Sequence, residues 1–185
     1  MLHDGTSTRV AIVGGSRIPF CRSHSIYKGV SNQEMMTAAL RGVVDKFDLR
    51  GQTIGDVALG AVIKHSRDFN LARESVIDSG LSMKTPGVDL QRACGTSIEA
   101  AIMVGNKIAL GQIDSGIAGG TDTVSDAPIV LKDKLRHILL DMHAARSLGG
   151  RLGALARFRP GMLAPDFPSV LEPRTKLSMG ESTNF

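Results

Sequence analysis

The chain has 185 residues, of which 42% are apolar and 4% aromatic, with no tryptophan, and its formal net charge is +4. The apolar fraction is sufficient for a sizeable core, whereas the scarcity of aromatic side chains argues against the stacking platforms that bind single-stranded nucleic acids. No apolar run approaches the ~20 residues that cross a bilayer, and none forms the core of a signal peptide. Two cysteines 73 positions apart make neither a disulfide framework nor a metal-binding pattern. We therefore expect a cytoplasmic protein with no metal site and no nucleic-acid partner.

Short apolar runs alternate with helical patterns through residues 9–128. Ser31 and Glu34 form a capping box that begins the first helical pattern, and Gly80 stops the second. The predicted strands cover 9–13, 57–63, 88–90 and 116–120, and the predicted helices cover 31–47, 70–79 and 98–109. Gly105 lies on the apolar face of the last helix, where it would allow another backbone to approach closely. This order predicts an α/β domain with a largely parallel sheet that helices cover on both faces.

The chain changes character near residue 128, and we place a boundary there between a first domain, 1–128, and a further segment, 129–185. Apolar residues at helical spacing over 131–148 predict an amphipathic helix that breaks at Gly149-Gly150.

The charge of this second segment is concentrated between Lys132 and Arg159, where seven basic and two acidic residues give a net charge of +5 and leave −1 for the rest of the chain. A basic segment on a nearly neutral body indicates a local anionic partner, such as a phosphorylated cofactor. Two alternatives remain open: a solvated helix face with no partner, and a helix that lies on a membrane surface.

Cys94 follows a predicted strand and precedes a long apolar helix. A thiol at a helix start experiences the partial positive charge of the helix and can accept hydrogen bonds from its free N–H groups, which favours the thiolate. Gly95 leaves room for a substrate, and the same N–H groups could stabilise an oxyanion on an attacked carbonyl. Cys94 is therefore a candidate nucleophile, with a buried structural cysteine as the alternative.

The other candidate residues carry weaker patterns. Cys21 lies in a polar loop with no helix start behind it, so a catalytic role is not expected. Gly14-Gly15-Ser16 follows a predicted strand but does not complete a dinucleotide-binding fingerprint. Four histidines lack any partner pattern and are interpreted as surface or structural residues: His24, His65, His137 and His143.

Four segments of the chain together resemble the thiolase family in their order and spacing. They are Arg9–Val13 with Arg17-Ile18-Pro19-Phe20, Asn70-Leu71-Ala72-Arg73, Arg92-Ala93-Cys94-Gly95-Thr96-Ser97, and Ala118-Gly119-Gly120-Thr121-Asp122. Within that family, the Arg-Ala-Cys form and the stretch from Lys132 are most similar to the fatty-acid oxidation branch, which includes β-subunits of multienzyme complexes.

The resemblance implies a fold of two related βαβαβαββ halves with a loop domain inserted in the first half. This chain would supply the first half as residues 1–128 and the start of the inserted domain as residues 129–185. It also implies a homodimer or homotetramer and a possible partner subunit of fatty-acid oxidation.

The resemblance further implies an acyltransferase that cleaves 3-ketoacyl-CoA with coenzyme A, or runs the reverse Claisen condensation, through an acyl-cysteine. Cys94 matches the acylated nucleophile, and its backbone N–H matches one donor of the oxyanion hole. Met179 and Gly180 match residues that line the pantetheine channel, and the basic segment lies in the domain that binds coenzyme A. Coenzyme A is then a substrate, and no cofactor is expected.

The family draws its activating histidine, a second cysteine and an asparagine motif from the second half, which would lie beyond Phe185. Ser178 and Glu181 repeat the capping pattern, so a helix is expected to start where the sequence stops, as in a cut chain. The 185 residues alone are therefore expected to be incompetent for full turnover. Two alternative functions remain: another condensing enzyme of the superfamily, such as a ketoacyl synthase, and a non-catalytic acyl-CoA-binding chain.

Overall fold

The computed structural model describes residues 9–166 and 171–183, so Phe185 lies outside the described residues. The chain divides into two compact units, Met1–Pro128 and Ile129–Phe185. The first unit contains α1 Asn32–Lys46, β1 Asp56–Gly60, α2 Leu71–Ser79, β2 Gly87–Asp89, α3 Thr96–Ala109 and β3 Gly116–Gly120, with a 3-10 turn at Ser66–Asp68. The second contains α4 Asp133–Ala144, α5 Leu148–Leu155, a 3-10 turn at Pro160–Leu163, and α6 Met179–Ser182.

The sheet of the first unit has the order β2-β1-β3, and both pairings are parallel. All five residues of the central strand β1 are buried. Val57 and Leu59 belong to the core formed with α1 and α2, whereas Ala58 packs with Ala100 and Val104 of α3 on the opposite face. Because successive strand residues point to opposite faces, β1 is covered by helices on both sides. The predicted α/β class with a parallel, two-sided sheet is confirmed, although the described residues form three strands rather than a full βαβαβαββ set.

The predicted first strand, 9–13, is wrong for this chain. These residues form no regular element, and Ile12 and Val13 are 93% and 82% exposed. A strand needs a neighbour for its backbone N–H and C=O groups, and this segment pairs with neither edge strand of the sheet, β2 or β3. No described element covers its apolar side chains.

Helix ends in the first unit follow the sequence signals. The Ser31 hydroxyl accepts the Glu34 N–H at 3.2 Å, and the Glu34 carboxylate accepts the Ser31 N–H at 2.8 Å, which completes the predicted capping box. The Ser31 N–H and, to a smaller extent, the Ser31 hydroxyl donate to the Glu34 carboxylate and hold its pKa below the ordinary value. Gly80 ends α2 in the left-handed conformation, with φ of 92°, where a glycine carries no steric penalty.

The second unit departs from the predicted single helix. Helix α4 ends at Ala144, and α5 begins at Leu148, so Gly149-Gly150 lies inside a helix rather than breaking one. The reason is Ser147, whose hydroxyl accepts the Gly150 N–H at 3.1 Å and caps a new helix start. No helix in the described ranges is long and apolar enough to cross a membrane.

Glycines at the carboxyl ends of β1 and β3 allow α3 to begin directly against the sheet. Gly60 pairs with Gly120 in the register of the two strands. A Cβ on Gly60 would lie 2.0 Å from the Leu90 carbonyl oxygen and 2.5 Å from Thr96 Cγ2. A Cβ on Gly120 would lie 3.0 Å from the Cβ of Ser97. The first turn of α3 therefore occupies the space that two side chains would fill.

We predict that Gly60→Ala destabilises the protein, because the new methyl group has no space against the Leu90 backbone. Overpacking of this kind costs about 1–3 kcal/mol, so the midpoint of urea unfolding followed by circular dichroism should fall.

Gly105→Ala is the matched control, because a Cβ at Gly105 meets nothing within 4 Å in the part of the chain that the structure describes. That change removes a mid-helix glycine and should raise stability by about 0.5–1 kcal/mol. Equal midpoints for the two variants would contradict the tight packing inferred at Gly60.

Candidate functional site

Cys94 lies in the turn that joins β2 to α3, at the carboxyl edge of the sheet. The Leu90 N–H donates to the Leu59 carbonyl at 3.1 Å, so the chain leaves the sheet only after residue 90. Gly95 is the N-cap of α3, and Cys94 immediately precedes it with an exposed side chain. The strand-to-helix placement predicted for Cys94 is therefore present, and the alternative of a buried structural cysteine does not apply.

The hydroxyl of Thr96 holds this turn together. It accepts the Arg92 N–H at 2.8 Å and donates to the Ala93 carbonyl at 2.7 Å, and the Thr96 side chain is buried. Ala93, the residue before Cys94, has φ of 42°, in the left-handed region that non-glycine residues rarely occupy. Such strained residues persist only where the surroundings over-determine them, and here the two hydrogen bonds of Thr96 provide that constraint.

The backbone N–H groups at the start of α3 divide into two sets. Those of Gly95 and Thr96 donate to carbonyl oxygens within the turn, to Arg92 at 2.9 Å and Ala93 at 3.2 Å. Those of Ser97 and Ile98 have no acceptor among the described residues. The whole helix start is therefore not free to bind an oxyanion. Of these four N–H groups, those of Ser97 and Ile98 remain available for an anion near the helix axis.

The loop after β1 is tethered to both neighbouring strand ends. On one side, the Asp122 carboxylate accepts the N–H groups of Val62 at 2.9 Å and Ile63 at 2.7 Å. On the other, Lys64 forms a 3.2 Å ion pair with Asp89 at the end of β2, and both side chains are largely buried.

Asp89 also accepts the Ala72 N–H at 3.0 Å in the first turn of α2, where the helix dipole favours an anion. These two aspartates therefore fix the carboxyl edge around the Cys94 turn. In the sequence, Asp89 lies within a predicted strand, and Asp122 ends one of the four segments that carry the family resemblance.

His65 has a partner that the sequence did not reveal. Its Nε2 lies 2.9 Å from the Asp126 carbonyl oxygen and 3.2 Å from the Asp126 carboxylate, which also binds Arg67 at 2.8 Å. His65 and Asp126 are 61 positions apart in the chain, so no local pattern could have joined them. This arrangement agrees with the interpretation of His65 as a structural residue.

A cavity of about 730 Å³ lies in the first unit, between the loop 16–23 and the segment 120–125. Cys21 lines it, whereas Cys94 does not. Burial, and then the neighbouring Cys21 thiol, raise the pKa of Tyr27 above its ordinary value. The cavity alone would direct attention to Cys21, but Cys21 lies in an irregular loop with no helix start beside it, and we therefore keep Cys94 as the candidate nucleophile.

Met179 and Gly180 are the first two residues of α6, in the second unit. Met179 is exposed, and a Cβ on Gly180 would meet nothing within 4 Å. The predicted capping box is present, since Ser178 and Glu181 exchange hydrogen bonds. Both residues are thus accessible to a ligand, although no described side chain marks a channel around them.

The basic segment forms α4, α5 and the turns that follow. Its two acidic residues are paired, Asp133 with Arg136 at 2.9 Å and Asp141 with Arg157. Lys132, Lys134 and Arg159 line a groove of about 430 Å³ together with Asp133 and Asp166. Throughout residues 9–166 and 171–183, no three His, Cys, Asp or Glu side chains come together as metal ligands would.

The family model described as "Thiolase, N-terminal domain" matches residues 10–159. A 3-ketoacyl-CoA thiolase of Colwellia psychrerythraea is 36% identical over 181 residues, which cover 98% of this chain and 42% of that protein. The mitochondrial trifunctional enzyme subunit beta of Mus musculus is 35% identical over 175 residues, which cover 95% of this chain and 37% of that protein.

Among solved structures, the acetyl-CoA acetyltransferase of Bacillus anthracis matches with a TM-score of 0.56 and 25% identity, over 60% of this chain and 28% of that one. The chain therefore spans about two fifths of the length of the curated relatives that it matches.

We predict that Thr96→Val loosens the Cys94 turn, because the isosteric side chain leaves the Arg92 N–H without its acceptor and the Ala93 carbonyl with only the Thr96 N–H as its donor. Loss of a hydrogen bond costs about 0.5–1.5 kcal/mol, measurable by urea unfolding. Thr96→Ser keeps the hydroxyl and should lose much less. Identical losses in the two variants would mean that the methyl group, and not the hydrogen bonds, is what the turn requires.

Proposed function

The chain belongs to the thiolase family, and from that membership we propose that its protein cleaves 3-ketoacyl-CoA with coenzyme A, through an acyl thioester on Cys94. One observation supports this role most directly: the exposed Cys94 side chain lies immediately before the N-cap of α3, at the carboxyl edge of a parallel sheet. Open α/β sheets bind their ligands at that edge. The reverse reaction, condensation of two acyl-CoA molecules, uses the same intermediate.

In the proposed cleavage, the Cys94 thiolate attacks the C3 carbonyl of the substrate and forms a tetrahedral oxyanion. Collapse of that oxyanion breaks the C2–C3 bond, and the C2 carbanion takes a proton and leaves as acetyl-CoA. The acyl group remains on the Cys94 sulfur, and the thiolate of a second coenzyme A then attacks it and releases the shortened acyl-CoA. Covalent catalysis thus divides one difficult carbon–carbon cleavage into two acyl transfers.

Residues of this chain would stabilise charge in these steps. The start of α3 places a partial positive charge beside Cys94. The family resemblance assigns one oxyanion donor to the Cys94 backbone N–H. The N–H groups of Ser97 and Ile98, which have no acceptor among the described residues, add to the positive potential at the start of α3. The base for Cys94 and the acid for the C2 carbanion are residues that the resemblance assigns to the second half of the family fold.

The second unit is our candidate for binding coenzyme A. Its net charge of +5 between Lys132 and Arg159 suits the phosphates of coenzyme A, and the exposed Met179-Gly180 pair is proposed to contact the pantetheine arm.

We propose further that the enzyme is a homodimer or homotetramer and that it pairs with another subunit of fatty-acid oxidation. The relative named as a beta subunit supports the second suggestion. A cytoplasmic location completes the proposal, since both cysteines are free thiols.

We predict that Cys94, and not Cys21, carries the acyl group. After brief exposure of the protein to an acyl-CoA, mass spectrometry should find the acyl mass on the Cys94 peptide. That signal should be lost in Cys94→Ser and kept in Cys21→Ser. The 185-residue chain should acylate about 10²–10⁴ times more slowly than the full-length Colwellia relative, which is the usual contribution of a general base. Labelling of Cys21 at the same rate would refute the assignment.

Charge reversal in the basic segment should weaken coenzyme A binding. Arg151→Glu and Arg157→Glu are expected to raise the dissociation constant most at low salt, because ions screen exposed charges at higher ionic strength. Lys84→Glu makes the same change of charge on the first unit and should have little effect. A dissociation constant that is the same in all three variants and at every salt concentration would show that the segment does not bind coenzyme A.

A further inference from the structure

The cavity of the first unit combines apolar residues of α1 with charged residues of the loop that precedes it. Its volume of about 730 Å³ lies in the range of about 300–1,000 Å³ that small-molecule sites occupy. Met35, Met36 and Ala39 line it from α1, and both methionines are otherwise buried. Methionine side chains adapt to ligands of irregular shape. Helix α1 therefore provides an apolar surface on which a flexible ligand can pack.

Two arginines line the same cavity, Arg17 and Arg22. Both are exposed, and in the described part of the chain neither guanidinium forms an ion pair or a side-chain hydrogen bond. The acidic residue in the described lining is Asp122, whose carboxylate already accepts two backbone N–H groups of the loop after β1. The two guanidinium groups are therefore available to an anion from solution, and a guanidinium matches the geometry of a carboxylate or a phosphate.

Large apolar side chains are exposed beside these arginines. Phe20 and Val124 both line the cavity, and they are 91% and 55% exposed. Burial of such side chains against a ligand is favourable because it removes apolar surface from water. The cavity thus presents unpaired positive charge and exposed apolar surface to the same ligand.

We propose that this cavity binds a small amphipathic anion, an alkyl chain that ends in a carboxylate or a phosphate. Arg17 and Arg22 hold the head group, and the chain packs against the methionines of α1 and Phe20. The site is separate from the acyl-transfer chemistry, because Cys94 does not line the cavity. Its arginines also lie outside the basic segment that we assign to coenzyme A.

The lining favours this class of ligand over two others. An inorganic polyphosphate would neutralise the arginines but leave Phe20 and Val124 in water. An uncharged hydrocarbon would cover those side chains, but it would take Arg17 and Arg22 out of water without giving them a partner, which is unfavourable. An anion with an alkyl chain satisfies both the charged and the apolar residues.

Two residues of the cavity report directly on its occupancy. Tyr27 is the one tyrosine of a chain without tryptophan, and it lines the cavity together with Cys21. Decanoate or decyl phosphate, added below its micelle concentration, should therefore change the tyrosine emission in a saturable way. The titration gives the dissociation constant of each anion, and the tighter of the two identifies the preferred head group. Decanol has the same chain without the charge and should bind about tenfold more weakly, because it leaves two exposed charge pairs unmade.

Alkylation of the two cysteines provides a second measurement with an internal control. At ten times the dissociation constant of decanoate, iodoacetamide labelling of Cys21 should slow about tenfold, because the ligand covers the thiol in most molecules. Cys94 is exposed and lies outside the cavity lining, so its labelling rate in the same sample should not change. Mass spectrometry of the two cysteine peptides gives both rates.

Substitutions in the lining test the two parts of the site. Arg17→Gln and Arg22→Gln should each raise the dissociation constant about two- to fivefold, the scale of an exposed charge pair, while the exposed Arg9→Gln should not. Ala39→Leu fills part of the cavity and should raise it about fivefold or more. Ala38→Leu, the exposed neighbour on α1 outside the lining, is the matched control. Far-UV circular dichroism should show native helix content in the arginine variants, since both side chains are exposed.

Four results would overturn the proposal. One is that neither anion changes the tyrosine emission, and another is that decanol binds as tightly as the anions, which would leave a merely apolar cavity. Equal slowing of Cys21 and Cys94 would indicate a general effect of the alkyl chain on the protein. Dissociation constants that stay unchanged in both arginine variants would show that the head group does not bind at Arg17 and Arg22.

Discussion

The central strand β1 is the constraint on which the first unit depends. It is paired on both edges, covered on both faces, and buried along its whole length. Its last residue, Gly60, has no Cβ, so Leu90 and Thr96 can approach the strand end at distances that any other residue would prevent. The exit from β2 and the start of α3 are therefore placed by the backbone of β1. The position of Cys94 between them follows from this contact.

The turn that carries Cys94 is rigid for identifiable reasons. Thr96 satisfies two backbone groups across the turn and is itself buried against Gly60. Asp89 and Asp122 hold the neighbouring loop from opposite sides. This support allows Ala93 to keep a left-handed conformation, and it fixes Cys94 relative to the helix start. Groups held in this way need little reorganisation during reaction.

The two units have different surface chemistry. In the first unit, Asp89 and Asp122 are paired with neighbouring groups at the carboxyl edge of the sheet. In the second unit, arginines and leucines remain exposed side by side, and the two acidic residues of the basic segment are already paired. The uneven distribution of charge along the sequence thus corresponds to a division between units.

The sequence alone determined the features that depend on neighbours in the chain. The capping boxes at Ser31 and Ser178, the left-handed stop at Gly80 and the placement of Cys94 before a helix were all predictable, because each arises from groups within a few residues of one another. Family membership followed from four such local segments. Residues 9–13 were predicted as a strand because an apolar run records only a preference for burial. In the structure these residues pair with neither β2 nor β3.

Only the tertiary structure decided which distant residues meet. It joined His65 to Asp126 and Lys64 to Asp89, and it placed Thr96 against Gly60. It also turned the leucines of α5 outward, although their spacing in the sequence is the same as that of a core-facing helix. The physical reason is that periodicity defines a face but not what lies opposite it, and the partner of a face is set by chain segments that are remote in sequence.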